Sequence, residues 1–185
     1  MAEAYPTYLA GNRLTAGLLR SAQIQVLRKT SDTNRSATTT TTADPHLQTD
    51  LVANAVYIWE GWIKYDSPTA ADINIDFSGP AGLLGEWTAL GVGSPVVGST
   101  AAPALQTDTQ ASTGYMIRTE TNDVTAARSF GGLGTGNTPI TLHLKGTLRV
   151  GSTAGTWSLD WAQFTSNATA TTLYTDSWIW LLRVA

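Results

Sequence analysis

Few side chains in this sequence could do acid–base or nucleophilic chemistry. Histidine, the usual proton-transfer side chain near neutral pH, occurs only at His46 and His143. His143 lies between Thr141 and Lys145 on the polar face of an alternating segment, and His46 lies in a predicted turn. A Ser-His-Asp triad also needs a nucleophile on a strained turn, and the sequence contains no Gly-x-Ser-x-Gly. We therefore expect both histidines to be structural and the protein to have no enzymatic activity.

The sequence also contains no clear motif for binding a metal ion or a cofactor. Asp72-x-Asn74-x-Asp76 has the spacing that begins a calcium-binding loop, but Phe77 stands where such a loop needs glycine. Alternation along a strand explains the same three polar residues. The glycine cluster at 131–136 lacks the spacing and the following helix of a phosphate-binding loop. Because the sequence has no cysteine, thiolate metal sites and disulfides are excluded, and we expect no cofactor.

Seven tryptophans are the other residues that could hold a ligand, since sugar rings pack on flat aromatic faces. Four of them share strand faces with leucine, at 157–161 and 178–182, which indicates a core or a subunit interface. Trp87 instead lies beside Glu86 and near the loop-like segment 91–113. It is therefore the tryptophan that we expect to be exposed, and the candidate for contact with a glycan.

Composition points to strands. The chain has 185 residues, enough for one domain or one domain with an arm. Charged residues make up 14%, against the usual share of roughly 25%, while 30 threonines and 17 glycines favour strands and turns. A net charge of -3 argues against nucleic-acid binding, which needs a basic face. No apolar run is long enough for membrane insertion, and the first residues lack a secretory signal.

The hydrophobic pattern repeats every two residues from about residue 47 to the end. The clearest alternation, at 140–150, is followed by a turn at 151–155 and a return strand at 157–163. Such segments, without the spacing of βαβ units, predict an all-β, two-sheet antiparallel sandwich. The five threonines at 38–42 are predicted to be a strand rather than a flexible linker, because threonine is stiff and β-branched.

The N-terminal segment differs in charge from the rest. Residues 1–36 carry a net charge of +3, and residues 37–185 carry -6. One brief helix is predicted from Asn12, because Leu14 and Leu18 recur at helical spacing. We therefore expect an N-terminal docking arm at 1–36 and a β-sandwich domain at 37–185.

Two strands are too apolar for one small sandwich to cover. The segment 55–65 is apolar on both faces, and the closing strand at 178–184 is aromatic. Exposed apolar surface of this extent marks an interface, and closed symmetry is the rule for oligomers. The residues predicted to form a trimer interface are Tyr57, Trp59, Trp62, Tyr65, Trp178 and Trp180.

The C-terminal stretch resembles a known class of domain. Residues 143–173 contain a Gly-Thr strand, a Thr-Ala-Gly turn, Leu-Asp-Trp-Ala-Gln, and an Asn-Ala-Thr-Ala-Thr loop before a closing apolar strand. This order is similar to the end of jelly-roll domains in tailed-bacteriophage virion proteins, which resemble the trimeric tumour-necrosis-factor/C1q sandwich. The segment 61–66 and the leader from Leu9 show the same likeness. The resemblance implies a jelly-roll fold, a homotrimer and a structural protein of the virion.

Two positions in the virion follow as hypotheses. The first is a trimeric decoration (cement) protein on the capsid, assembled in the host cytoplasm and bound to the major capsid protein or other virion proteins. The predicted docking residues are Arg13, Leu14, Leu18, Arg20, Arg28 and Lys29. The alternative is a tail-tip or fibre module that binds host surface glycans through Trp87.

Overall fold

The chain folds into two antiparallel β-sheets, as the sequence predicts. The computed structural model describes residues 23–92, 115–120, 124–136 and 139–185, and the single positions 10, 11, 13, 15 and 16. Within these residues the structure has twelve strands. The expected all-β, two-sheet antiparallel architecture is confirmed, and the jelly-roll connectivity stays a prediction. Of the predicted helix from Asn12, only residues 13, 15 and 16 are described, so this prediction stays untested.

The larger sheet has eight strands. Its main path runs β1-β12-β4-β9-β6-β7, and β11 and β2 continue the sheet beside the C-terminal end of β4. Strand β4 lies near the middle, with β9 on one side and β12 followed by β11 on the other. The strands are β1 (Gln25–Arg28), β2 (Thr33–Arg35), β4 (Val56–Asp66), β6 (Leu84–Val92), β7 (Tyr115–Glu120), β9 (Ile140–Arg149), β11 (Thr171–Leu173) and β12 (Trp178–Arg183).

The smaller sheet has four strands in the order β3-β10-β5-β8. Strand β10 lies between β3 and β5 and pairs with both of them. The strands are β3 (Thr42–Leu51), β5 (Ile73–Ser78), β8 (Arg128–Phe130) and β10 (Gly155–Gln163).

Four aromatic rings fill the centre of the core. Trp59 and Trp87 come from the larger sheet, and Phe77 and Trp157 come from the smaller one. The Phe77 ring is stacked on Trp157 with centroids 5.3 Å apart, and it meets the rings of Trp59 and Trp87 edge-on at 5.0 and 5.2 Å. Both arrangements are favourable for aromatic quadrupoles. The two sheets are therefore joined by ring contacts as well as by aliphatic packing.

Part of the predicted N-terminal arm belongs to the larger sheet. Strand β1 pairs with β12, and β2 pairs with β11, although both lie before the boundary expected at residue 36. Any separate arm must therefore end before β1.

The threonine run does not form the predicted strand. Residues 36–41 are irregular, and β3 begins only at Thr42. Ala37 has a positive φ of 53°, and the Thr38 hydroxyl accepts a hydrogen bond from the Thr40 amide. Such local bonds compete with strand pairing. In this segment they outweigh the β-propensity of threonine.

Candidate functional site

Strand β4 is apolar on both faces, and the two faces have different surroundings. Tyr57, Trp59 and Tyr65 lie in the core and are at most 2% exposed. The prediction that these three form a trimer interface is wrong, because this face of β4 packs against the smaller sheet. The other face carries Trp62, which is half-buried.

The outer face of the larger sheet carries a cluster of apolar side chains. Trp178 lies opposite Trp62, and Val26 lies opposite Trp180, so that each pair shares a face. We call Val26, Ile58, Trp62, Trp178 and Trp180 the tryptophan patch. Its three tryptophans are half-buried, while Ile58 is 37% and Val26 is 65% exposed. Three of the six predicted interface residues are thus placed where another molecule can contact them.

A groove adjoins this patch on the same face, over strands β4, β9 and β6. It consists of one hollow of about 400 Å³ and a second of about 270 Å³, and we call the two together the sheet groove. Both hollows are lined by Glu60, Thr88 and Lys145. The first is also lined by Ile58, Glu86, Thr147 and Trp180, and the second by Leu90 and His143.

Packing beneath the sheet fixes the floor of the groove. Gly146 lies opposite Trp59 on one neighbouring strand and Trp87 on the other. A Cβ at Gly146 would lie 2.2 Å from the carbonyl oxygen of Glu86 and 2.9 Å from Nε1 of Trp59. Only glycine fits there without a shift of the β6 backbone, so the three strands under the groove are held in one arrangement.

The groove combines charges with unpartnered hydroxyl groups. Glu60 lies opposite Lys145 in the strand register, and Arg149 Nη2 lies 3.4 Å from Glu86 Oε1 at the groove wall. The hydroxyl oxygens of Thr88 and Thr147 are buried and have no hydrogen-bond partner in the described structure. Most buried polar side-chain atoms have a partner.

Sequence reasoning did not single out these groove residues. Alternation places Glu86 and Lys145 on the polar faces of two segments, and Glu60 on one of the two apolar faces of β4. Only the pairing of β4, β9 and β6 brings those faces together. The order of strands is a long-range property, and a periodicity of two does not reveal it.

The expected exposure of Trp87 is wrong. Trp87 is 2% exposed, and its ring packs on Phe77 in the core. Its face neighbours Gly85 and Ala89 are small, so the alternation gives little sign that this face points inward. Trp87 therefore offers no surface on which a sugar can stack.

The predicted docking residues fall into three groups. Lys29 is fully buried, with Nζ 2.7 Å from Asp44 Oδ2, so its assignment to a docking surface is wrong. Arg13 and Arg28 are exposed, and Arg28 Nε donates to Asp176 at 2.8 Å. The positions outside the described residues are Leu14, Leu18 and Arg20.

The predicted strand face at Asp72 is interrupted. Asp72 has a positive φ of 58° and precedes β5, and its Oδ1 accepts a hydrogen bond of 3.0 Å from the Gly132 amide. Beside it, the Tyr65 hydroxyl donates to the Gly131 carbonyl at 2.7 Å. Burial, followed by the charge of Asp72, raises the pKa of Tyr65 well above its ordinary value. This part of the glycine cluster is therefore fixed by two buried polar side chains.

Replacing Tyr65 with phenylalanine is expected to lower the free energy of unfolding at pH 7 by about 1–2 kcal/mol, because the Gly131 carbonyl loses its donor. Below pH about 10, Tyr65 keeps its proton in both states. Above it, the unfolded tyrosine ionises while the folded one resists, so native stability falls by up to about 1.4 kcal/mol per pH unit. Urea unfolding of both chains at pH 7 and above pH 10 should show that the difference in the free energy of unfolding between the native chain and the variant becomes smaller at high pH. A constant difference would contradict the assignment.

The described residues contain neither a cluster of metal ligands nor a long apolar helix. No group of three or more His, Asp and Glu side chains there could hold a metal ion. No helix in the same part of the chain is long and apolar enough to cross a membrane.

Comparison with known proteins gives only weak likenesses. No family model matches the chain, and no curated protein matches it. The tripod from the baseplate of bacteriophage Tuc2009 aligns with 100% of this chain and 76% of its own, at 9% identity and a TM-score of 0.33. The infectious bursal disease virus VP2 subviral particle aligns with 88% of this chain and 41% of its own, at 8% identity and a TM-score of 0.21. Such scores establish neither a family nor a function, which have to be inferred from the chain itself.

Proposed function

We propose that this chain is a non-enzymatic structural protein of a bacteriophage virion, and that it assembles as a homotrimer through the tryptophan patch. The observation that carries the proposal is the outward-facing aromatic cluster of Trp62, Trp178 and Trp180 on an all-β sandwich. The resemblance of residues 143–173 to trimeric phage jelly-roll domains supports it. Aromatic side chains that are half-buried in a single chain are typical of subunit contacts.

The tryptophan patch has the make-up of such a contact. Trp178 and Trp62 are direct cross-strand neighbours, and Val26 and Ile58 extend the apolar surface to either side. On β4, Glu60 lies between Ile58 and Trp62 and opposite Trp180, whereas Lys64 lies beyond Trp62. The apolar centre of the proposed contact is therefore the pair Trp62 and Trp178, with the charged Glu60 and Lys64 on either side of Trp62, and an apolar centre with a polar rim is the usual anatomy of an interface.

In solution, the purified chain is expected to have three times its 19.6 kDa mass by light scattering. Trp178→Glu should weaken association by about 2 kcal/mol or more, because it places a charge in the centre of the contact, and it should yield a monomer at low micromolar concentration. Phe164→Glu is the matched control: Phe164 is 52% exposed and lies just after β10 of the other sheet. A native chain that is monomeric at micromolar concentration would refute the trimer.

On the particle, we propose decoration of the capsid, with the N-terminal segment before β1 as the anchor to the major capsid protein or another virion protein. Residues 1–24 hold Arg13 and Arg20 against Glu3, a net charge of +1, while the remainder carries -4, and this difference supports the assignment. The exposed Arg13 remains as a docking candidate in this segment, whereas Arg28 lies in β1 opposite Trp178. Assembly in the host cytoplasm is part of the proposal.

Electron microscopy of particles carrying a labelled copy tests that position. A chain without residues 1–22, which keeps β1 and β2 in the sheet, is expected to fold and trimerise but to be lost from capsids. Full occupancy by this truncated chain would refute the anchor. Label on the tail instead of the head would favour the second candidate, a tail-tip or fibre module that binds host surface glycans. That candidate is supported by the sheet groove.

A further inference from the structure

The sheet groove has a chemical character of its own, which an apolar contact centred on Trp62 and Trp178 does not explain. Ile58 and Trp180 belong both to the tryptophan patch and to the lining of the larger hollow, so that contact has to leave them at its edge, open to the groove. The lining of the groove includes the carboxylates of Glu60 and Glu86, the ammonium of Lys145 and the side chains of Thr88 and Thr147. We propose that the sheet groove is a binding site for a saccharide chain. The chemistry below belongs to the groove alone and does not depend on where the protein sits in a virion.

The two threonines are the first reason. Their hydroxyl oxygens are buried and have no partner in the described structure, which is uncommon for buried polar atoms. Thr147 lies on β9 and Thr88 on the neighbouring strand β6, and both residues line the hollow. A change of the χ1 rotamer would turn either hydroxyl toward the groove, where it could both donate and accept. A ligand rich in hydroxyl groups satisfies both of them.

The indole at the rim is the second reason. Trp180 is half-buried and lines the larger hollow together with Ile58. A sugar ring has one face of C–H groups that packs on an aromatic side chain, while its hydroxyls point outward to polar groups. Carboxylates at Glu60 and Glu86 accept from those hydroxyls, and Lys145 donates to them.

Other ligand classes fit less well. A phosphate group would meet two carboxylates, and Arg149 is already engaged with Glu86. An extended peptide would need a free strand edge, whereas β9 is paired on both sides under the groove. A purely apolar ligand would remove charged groups from water without pairing them.

The shape of the groove favours a chain over a single sugar ring. The two hollows of about 400 and 270 Å³ adjoin at Glu60, Thr88 and Lys145, and together they run across three strands. The smaller hollow ends at Leu90 and the exposed His143. One sugar ring at Trp180 and the next toward His143 would occupy both hollows.

The test is binding of the full chain to immobilised glycans in two sets: neutral oligosaccharides such as cellohexaose, chitohexaose and mannohexaose, and bacterial surface polysaccharides. Binding to at least one glycan is expected, with a change in tryptophan fluorescence from Trp180. Affinity for that glycan is then measured by calorimetry. The bacterial set follows from the proposed function, whereas the neutral set does not. Binding to neutral glycans alone would therefore support the groove as a saccharide site even if the proposed function is wrong.

Two conservative variants decide whether the groove is responsible. Glu60→Gln is expected to weaken binding about tenfold or more, and Thr147→Val about fivefold, because each removes one partner of a sugar hydroxyl. Thr153→Val, in the exposed turn after β9, is the control that should bind like the native chain. Unchanged mass and circular dichroism in all three show that fold and assembly are retained. Failure to bind any glycan in either set, or undiminished binding by both groove variants, would overturn the inference.

Discussion

Lys29→Met is expected to lower the free energy of unfolding by about 3–5 kcal/mol, which is a large part of the stability of a domain of this size. Lys29 and Asp44 are both fully buried, and Lys29 Nζ donates to Asp44 Oδ2 at 2.7 Å. Without the ammonium group, the carboxylate of Asp44 remains in the core without an opposite charge. Such removal of one partner is far more costly than the pair itself is stabilising.

The surroundings of Asp44 make relaxation difficult. Its Oδ2 also accepts from Trp161 Nε1 at 3.2 Å, and its Oδ1 accepts from the His46 amide at 3.0 Å. Lys29 donates a second hydrogen bond to the Thr33 hydroxyl. The carboxylate is therefore held in place by the smaller sheet, and it cannot turn to water when Lys29 is lost.

A neighbouring ion pair provides the control. Arg28 and Asp176 are 61% and 53% exposed, so that water screens their attraction. Arg28→Met is expected to cost less than about 1 kcal/mol. The double variant Lys29→Met with Asp44→Leu removes both buried charges, and it should regain most of the loss caused by Lys29→Met alone. Urea unfolding of these chains and of Asp44→Leu completes the double-mutant cycle and measures the coupling. Equal losses for Lys29→Met and Arg28→Met would contradict this account.

This cluster explains why charge counting misassigned the N-terminal segment. A net charge of +3 on residues 1–36 suggests a solvated basic arm, and the sequence holds no sign that Lys29 pairs with a residue 15 positions later. Arg35 is likewise bound to the smaller sheet. Its guanidinium lies 4.2 Å from the centre of the Trp161 ring and donates to the carbonyls of Thr42 and Ala43. Burial lowers the pKa of Arg35. Two of the five basic residues thus fasten the first strands to the smaller sheet.

Alternation predicted the elements well where each strand has one apolar face. In β9, Leu142, Leu144 and Leu148 are buried while His143 and Lys145 are exposed, as the pattern requires. Strand β4 has two apolar faces, and the sequence alone does not say which one meets the smaller sheet. That choice depends on the strands beside β4 and on the aromatic residues of β5 and β10 across the core. The interface prediction consequently mixed residues of both faces.

Trp157→Ala is expected to lower the free energy of unfolding by about 3–5 kcal/mol. Trp157 is fully buried, stacked on Phe77 at an interplanar angle of 4°, and 5.4 Å from the Trp59 ring. Removing it empties the centre of the core between two sheets that cannot close the space, since their strands are fixed by pairing. The melting temperature should fall by roughly 10 °C. Trp157→Phe, which retains one ring, should lose less.

Comparing Trp178→Ala with Trp157→Ala distinguishes an interface tryptophan from a core tryptophan. Trp178 is half-buried on the outer face, so its loss leaves little cavity in a single subunit. Its effect should instead depend on protein concentration, because stability gained by assembly follows mass action. At concentrations that favour the trimer, Trp178→Ala should melt below the native chain, and on dilution the difference should shrink. Trp157→Ala should show the same loss at every concentration. If Trp178→Ala behaves like Trp157→Ala throughout, Trp178 is a core residue and the tryptophan patch does not bind sister subunits.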